Sequence, residues 1–285
     1  MRADADTRHH WPLLLPVSLW SLALLLAPLS ILFAISFFKV EYVTLIPAFT
    51  PENYFQALTR PLYSGLMFKT FKIAAKVSLC CLLLAYPAAY FLVHLPPKLR
   101  QTLYFMAIVP LWISYLIRCY AWKLILGQNG VLNSFLQWIG MTQEPIAAFL
   151  YSEFSLTLTL SHVYVAFVLM PVYASLEKIP RNLGEAASDL YASPWQRFRR
   201  VTLPLSMPGV VTGVTFVFSL TLGDFVAATL VGGPENLMIG MVIWNLFGTA
   251  YQWPLGAAIS FLILVVVLVL ITLADRIGAL RRVEV

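Results

Sequence analysis

The sequence predicts an all-α membrane protein, a polytopic bundle of six transmembrane helices with a cytoplasmic helical loop. Three observations carry that prediction. Sixty per cent of the 285 residues are hydrophobic and only 11% are charged, with a mean hydropathy of +0.80, far outside soluble norms. Apolar runs recur at a length that suits the ~30 Å hydrocarbon core, which a helix crosses in about 20 residues. Short alternating strands of the barrel type are absent, and among open structures only helices satisfy their own backbone in lipid.

The six segments run over 12–38, 71–93, 102–126, 154–176, 206–231 and 254–274. The first begins inside "MRADADTRHHWPLLLPVSLWSLALLLAP". Its apolar run continues to Phe38, too long for a cleaved signal, and no small-residue cleavage site ends it. It reads as a retained span. The chain divides into a cytoplasmic N-terminal tail (1–11), a six-span transmembrane domain (12–275) containing the loop 177–205, and a cytoplasmic C-terminal tail (276–285).

Orientation follows the basic residues. Arg2, Arg8, Lys98, Arg100, Lys178, Arg181, Arg197, Arg199, Arg200, Arg276, Arg281 and Arg282 are twelve of nineteen Lys and Arg, and all fall on one side. The first loop is the exception, with Lys39, Arg60, Lys69, Lys72 and Lys76. Both termini and the 177–205 loop are therefore expected in the cytoplasm. The net charge of +6 is mostly this bias and calls for no nucleic-acid partner.

Catalytic patterns are missing. The histidines, His9, His10, His94 and His162, form no HExxH or other metal spacing, and GxSxG and GxxxxGK[ST] do not occur. No metal site, no catalytic residue and no cofactor is expected in this chain; in energised transport the nucleotide would be hydrolysed elsewhere. Cys80, Cys81 and Cys119 lie within spans and read as buried structural thiols.

Charges inside spans raise a functional question. Asp224 is the only carboxylate between Asp189 and Glu235, in the outward half of the fifth span. Arg118 and Lys123 lie in the outward half of the third. One reading pairs Asp224 with Arg118 as a structural ion pair and lets Lys123 snorkel to the interface. The other turns Asp224 toward a central pathway and a cationic solute. Trp112, Tyr115, Cys119 and Trp122 share a helical face in an unbroken third span. Those aromatic faces suit an ammonium group.

The stretch "NLGEAASDLYASPWQRFRRVTLPL" is out of keeping with its apolar flanks. Asn182 to Glu185 and Ser193 to Gln196 both fit capping boxes, the second with Pro194 at the first helical position. Two short helices are expected, roughly 183–190 and 194–202, turning at 191–193, with Leu203-Pro204 and Met207-Pro208 closing the second. Ala186, Ala187 and Ser188 permit close approach of another backbone, and Glu185 and Asp189 attract a basic groove.

"EAASDLYAS" followed by Leu203-Pro204 resembles the EAA loop of bacterial ABC importer permeases. Glu185, Ala186 and Ala187 match that pattern; the family glycine falls on Tyr191, a departure. The runs "VPLWISYLIRCYAWKLILGQNGVLN" (109–133), "MPVYASLEKIP" (170–180), "LPLSMPG" (203–209), "GDFVAATLVGGPENLMIGMVIWNLF" and "WPLGAA" (253–258) extend the resemblance over most of the chain. The subgroup it most resembles is the spermidine/putrescine-type permeases.

The resemblance implies a permease subunit of a binding-protein-dependent importer in a bacterial inner membrane. It implies as partners two ATPase subunits that use ATP and Mg, a second related permease in a heterodimer, and a periplasmic solute-binding protein. The 177–205 segment would be the coupling loop, with Glu185, Ala186, Ala187, Ser188, Asp189, Tyr191 and Ala192 at the ATPase. Polyamines need acids and aromatic faces, and Asp224, Trp112, Tyr115, Trp122 and Trp244 are the candidates for their pathway. Related importers carry opines, aminophosphonates or similar small solutes, so the cargo stays open at this level. A polytopic enzyme or channel would leave the EAA pattern unexplained.

Overall fold

The computed structural model describes residues 11–280, so Arg2, Arg8, His9, His10, Arg281 and Arg282 lie outside it. The chain forms two compact units, Met1–Arg60 with Ile243–Leu262, and Pro61–Val242 with Ile263–Val285. Among the described residues five helices are long and apolar enough to cross a bilayer, and a bent helix pair passes the same test of length and composition when its halves are taken together.

Helix α1 (Trp11–Ile35) exposes Leu19, Trp20, Leu22 and Leu24 around its circumference, an apolar surface suited to lipid. It stops three residues short of the expected end. Ser36 donates its hydroxyl to the Phe33 carbonyl at 2.6 Å and meets the Tyr54 hydroxyl at 2.8 Å, competing with the helical ladder. A hairpin follows, β1 (Lys39–Glu41) against β2 (Thr44–Ile46), then α2 (Glu52–Thr59). Asn53 donates to the Ser36 and Phe38 carbonyls at 2.8 and 2.9 Å and ties α2 to the end of α1. Lys39 pairs with Glu52 at 3.0 Å, and its hydrogen bond holds the Glu52 carboxyl below the usual range.

In the second unit, α3 (Pro61–Val93) starts ten residues before the expected span. Pro61 needs no N–H at a first helical position. The lysines that break the apolar pattern are each accommodated: Lys69 donates to the Glu235 carbonyl, Lys76 pairs with Glu153, and Lys72 lies 4.5 Å over the Phe68 ring.

Helix α4 (Pro97–Ile108) ends in a 3₁₀ turn over Val109–Trp112, and α5 (Tyr115–Leu126) leaves in a new direction, followed by α6 (Val131–Trp138). The bend between Pro97–Trp112 and Tyr115–Trp138 is 91°. Its cause is local: Ile113 and Ser114 take extended ψ angles of 135° and 134° next to Pro110, so no helical bond carries through. The expected unbroken third span is therefore two helices.

The core is α3 against α7 (Glu153–Glu177) and α10 (Leu203–Leu222). Ile73, Val77, Cys81, Ala85 and Ala89 form an i, i+4 ladder on α3 and are all buried. From α7 they meet Leu156, Leu160, Val163 and Val168. Glycines bring α10 in close: a Cβ at Gly209 would lie 2.3 Å from the Pro171 carbonyl, and one at Gly213 2.9 Å from Val168 Cα. Small residues at a helix contact are the membrane solution to packing without a hydrophobic driving force. The three cysteines are free thiols, and Cys81 donates to the Ser161 carbonyl at 3.4 Å.

The loop helices are α8 (Arg181–Asp189) and α9 (Pro194–Arg197). The Asn182–Glu185 capping box does not form. Helix α8 starts two residues earlier, from an extended Pro180 with no side-chain cap, which leaves Asn182 inside the first turn. The Ser193–Gln196 box does form: Gln196 N–H donates to Ser193 Oγ at 3.3 Å and Ser193 N–H to Gln196 Oε1 at 2.8 Å.

Nor do Leu203-Pro204 and Met207-Pro208 end the second loop helix. A π-turn over Phe198–Thr202 carries it into α10 (Leu203–Leu222), so Pro194–Leu222 is one apolar helix. Leu203 N–H reaches the Phe198 carbonyl five residues back, a wider turn that steps around the missing N–H of Pro204. The fifth span then breaks at Gly223–Phe225 and resumes as a π-turn over Ala228–Gly232. Helices α11 (Ile239–Gly248) and α12 (Trp253–Leu280) complete the chain.

Candidate functional site

Asp224 stands in the break of the fifth span and is only 6% exposed. The break frees backbone donors, and the carboxyl takes one: Oδ1 accepts the Ala227 N–H at 2.9 Å, the third position after it, as an N-cap does. Oδ2 accepts the Tyr164 hydroxyl at 2.8 Å and the Tyr115 hydroxyl as well. The two phenol rings are parallel within 8°, with centroids 6.1 Å apart. One carboxyl thus ties α5, α7 and the second half of the fifth span together.

The far end of the break is closed by the same logic. Ser155 Oγ donates to the Val231 carbonyl at 2.7 Å, and Asn236 Nδ2 to the Gly232 carbonyl at 3.1 Å. Behind Asp224, a Cβ on Gly240 would stand 2.6 Å from the Asp224 carbonyl, so the start of α11 packs directly on that backbone.

The expected ion pair is not formed. Arg118 donates Nη1–H to the Val163 carbonyl at 3.1 Å, while the Asp224 oxygens are taken by phenols and an amide. Arg118 enters its helix one turn after Tyr115, and Tyr115 reaches Asp224 first. Lys123 lies 5.9 Å from the Tyr151 ring centroid.

Of the expected aromatic stripe, Tyr115 meets Asp224 but Trp112 does not share its face. The 91° bend separates them, and Trp112 is 75% exposed against Phe105. Trp122 donates its indole N–H to His162 Nδ1 at 3.0 Å. Trp244 is exposed on α11. Tyr164 is the residue the sequence reading missed; its only signal was a hydroxyl in an apolar span, which needs a partner when buried.

On the loop, Glu185, Ala186, Ser188 and Asp189 are exposed and Ala187 and Ala192 half-buried. Helix α8 ends in a Schellman motif: Ala192 N–H donates to the Ala187 carbonyl at 3.0 Å and Tyr191 N–H to that of Ser188 at 2.9 Å. The motif requires a left-handed residue, and Tyr191 has φ +57°. A side chain there costs about 1–2 kcal/mol relative to glycine.

Ser188 Oγ accepts from Arg197 Nη1 at 2.9 Å, joining α8 to α9. Phe198 stacks on Trp195 and meets the edges of Tyr86 and Tyr90 from α3. A cavity of about 440 Å³ lies between α8 and the span ends, lined by Tyr90, His94, Arg100, Glu177, Glu185 and Arg197 among others. Arg100 and Glu177 pair across it at 3.4 Å.

Comparison with known proteins fits both regions. The family described as "Binding-protein-dependent transport system inner membrane component" matches residues 81–281. The "Spermidine/putrescine transport system permease protein PotB" of Salmonella typhimurium is 41% identical over 218 residues, 76% of this chain and 75% of that protein. Its namesake in Haemophilus influenzae is 35% identical over 268 residues, 93% of each chain. A chain of a bacterial alginate ABC transporter, solved with an alginate pentasaccharide-bound periplasmic protein, shares the fold at a TM-score of 0.73 and 20% identity, over 98% of this chain and 97% of that one. A family match that runs from within α3 through α12 and takes in both the α8 loop and the Asp224 break leaves one conclusion: the chain belongs to the inner-membrane components of binding-protein-dependent transport systems.

Proposed function

We propose that this chain is a membrane-spanning subunit of an ATP-driven importer of polyamines such as spermidine and putrescine. The observation that carries the reading is its likeness, nearly end to end, to permeases named for those solutes. The chemistry of the Asp224 region supports it: a carboxyl between two phenols, inside a membrane domain, suits a cation.

In the proposed mechanism the termini and the α8–α9 loop face the cytoplasm, where two ATPase subunits dock on α8 through Glu185, Ala186, Ala187, Ser188, Asp189, Tyr191 and Ala192. A second, related permease completes the membrane domain, and a periplasmic binding protein delivers solute to the outer loops. ATP in the partner subunits supplies the energy. Movement of α8 passes to α9 through Ser188 and Arg197, and on into α10, which is continuous with α9.

Asp224 is closed in this conformation, its oxygens occupied. Displacement of Tyr115 from Asp224 would open one oxygen to a passing ammonium group, with Trp112, Trp122 and Trp244 as further aromatic faces along the pathway. Such a site binds weakly, because cargo must also leave.

The test is uptake of labelled spermidine and putrescine into proteoliposomes carrying this chain, its companion permease, the ATPase and the binding protein. ATP-dependent accumulation of either is the expected result. If the binding protein stimulates ATP hydrolysis but neither polyamine moves, the importer reading stands and the polyamine reading fails.

A further inference from the structure

Arg118 is a cation without a counter-ion among the described residues. Its side chain is half-buried beside α7; Nη1–H donates to the Val163 carbonyl at 3.1 Å, and Nε is buried with no acceptor. No carboxylate forms an ion pair with it there. Glu153 pairs with Lys76, Glu177 with Arg100, and the oxygens of Asp224 are held by Tyr115, Tyr164 and the Ala227 amide. His162 beside it accepts the Trp122 indole N–H at Nδ1 and brings no negative charge. An unpaired arginine inside a span is costly, which makes the missing anion a question of what else stands there.

Depth argues against a lipid headgroup. The Val163 carbonyl stands ten residues past Glu153, about 15 Å along the α7 span. Helical side chains lean toward the N-terminus of their own helix. For Arg118 that is toward the bend at Ile113–Ser114 and away from the end of α5 at Leu126, so the head is tied at mid-span and does not snorkel. On the flank of α5 next to Arg118, Ile117, Ala121 and Leu124 recur at i, i+4 and i+7 and are all exposed, an apolar stripe with a small residue at its centre.

We propose that this flank of α5 is covered by a span of the companion permease, and that a carboxylate of that span pairs with Arg118. The inference rests on the reading that a second, related permease completes the membrane domain. It adds which helix of this chain meets that subunit and which charge the subunit carries at mid-depth. A passing solute does not serve as the counter-ion, because it comes and goes while a guanidinium keeps its charge throughout.

The test uses the full permease pair in detergent, with the affinity of the two subunits read by dilution of the labelled pair. Arg118→Gln is expected to weaken that affinity about tenfold (about 1.4 kcal/mol), while Arg118→Lys, which keeps the charge, retains most of it. Each Asp and Glu in the companion's spans is then neutralised in turn. One of them should weaken the native pair yet cost nothing further in Arg118→Gln, the mark of two groups that act on each other. Native affinity in Arg118→Gln, or additive losses at every acid, would overturn the proposal. A benzoylphenylalanine photo-cross-linker in place of Ala121 gives a second readout that needs no charge change: capture of the companion permease is expected, and capture of lipid alone would also overturn it. If Arg118→Gln keeps the pair but loses ATP-dependent uptake, Arg118 serves the solute pathway and this inference alone fails. If the native chain does not associate with the companion at all, the second-permease reading fails with it.

Discussion

Tyr115 and Tyr164 present parallel rings, 6.1 Å apart, and give their hydroxyls to the same oxygen of Asp224. They come from different helices, α5 and α7, so the carboxyl is a three-way joint. A joint of this kind is strong while complete and fragile when one donor leaves, since the buried carboxyl then loses a partner.

Removing single donors measures the joint. Tyr164→Phe and Tyr115→Phe are each expected to destabilise the folded chain by about 1–1.5 kcal/mol. Because both act on one oxygen, the double variant should depart from the sum of the two. Thermal unfolding of the detergent-solubilised permease pair reads both effects, and strict additivity would show that the phenols do not act together.

Charge and capping at Asp224 separate by substitution. Asn keeps an oxygen for the Ala227 N–H but carries no charge; Ala loses both. Asp224→Asn should therefore cut polyamine uptake more than assembly, while Asp224→Ala should lower assembly further, by a cap worth about 1 kcal/mol. Uptake in proteoliposomes and the yield of intact complex are the two readouts. Collapse of assembly in Asp224→Asn would make the residue structural alone.

The close approach of α10 to α7 predicts low tolerance at its glycines. Gly213→Val drives a branched side chain into Val168, and Gly209→Ala meets the Pro171 carbonyl. Overpacking of this kind costs about 1–3 kcal/mol. A lowered thermal midpoint is expected for both, whereas Gly184→Ala, where a Cβ meets nothing within 4 Å, should leave it in place.

The Ser193 cap should matter to coupling more than to folding. Ser193→Ala removes one side of the box at the start of α9 and loosens that turn by about 1 kcal/mol. The expected result is ATP hydrolysis that continues while solute uptake per ATP falls. Equal loss of both would point to a general folding defect.

Much of this architecture was legible in the sequence because lipid imposes a length and a polarity on every crossing. The fourth span was placed within a residue at each end, since its apolar run has no charge to blur it. The third span failed at Ile113–Ser114, where a helical period read on paper runs through a bend the backbone makes. Asp224 stood out as a lone carboxylate in an apolar run, but its partners did not. Opposite charge suggested Arg118, whereas reach and helix position assigned the oxygen to two neutral phenols. Nothing in a string of letters distinguishes Tyr164 from the other tyrosines of the spans. The left-handed turn at Tyr191 falls where the resemblance puts a glycine, a departure whose backbone geometry the sequence left open.

The π-turn at Phe198–Thr202 has a consequence for the phase of the fifth span. A π-turn holds one residue more than the α-helix around it, and each residue of an α-helix turns the chain by about 100°. The face that carries Ser206, Gly209 and Gly213 therefore owes its aim to that one residue. Were it deleted, α10 would keep its composition and its length in the bilayer, yet arrive rotated by more than a quarter turn. Its glycine seam would then point away from α7, and the polar side chain of Ser206 would lose Tyr86. The loop end of this helix works like the key of a shaft, fixing at one point the angle at which a rod of 29 residues meets everything along it.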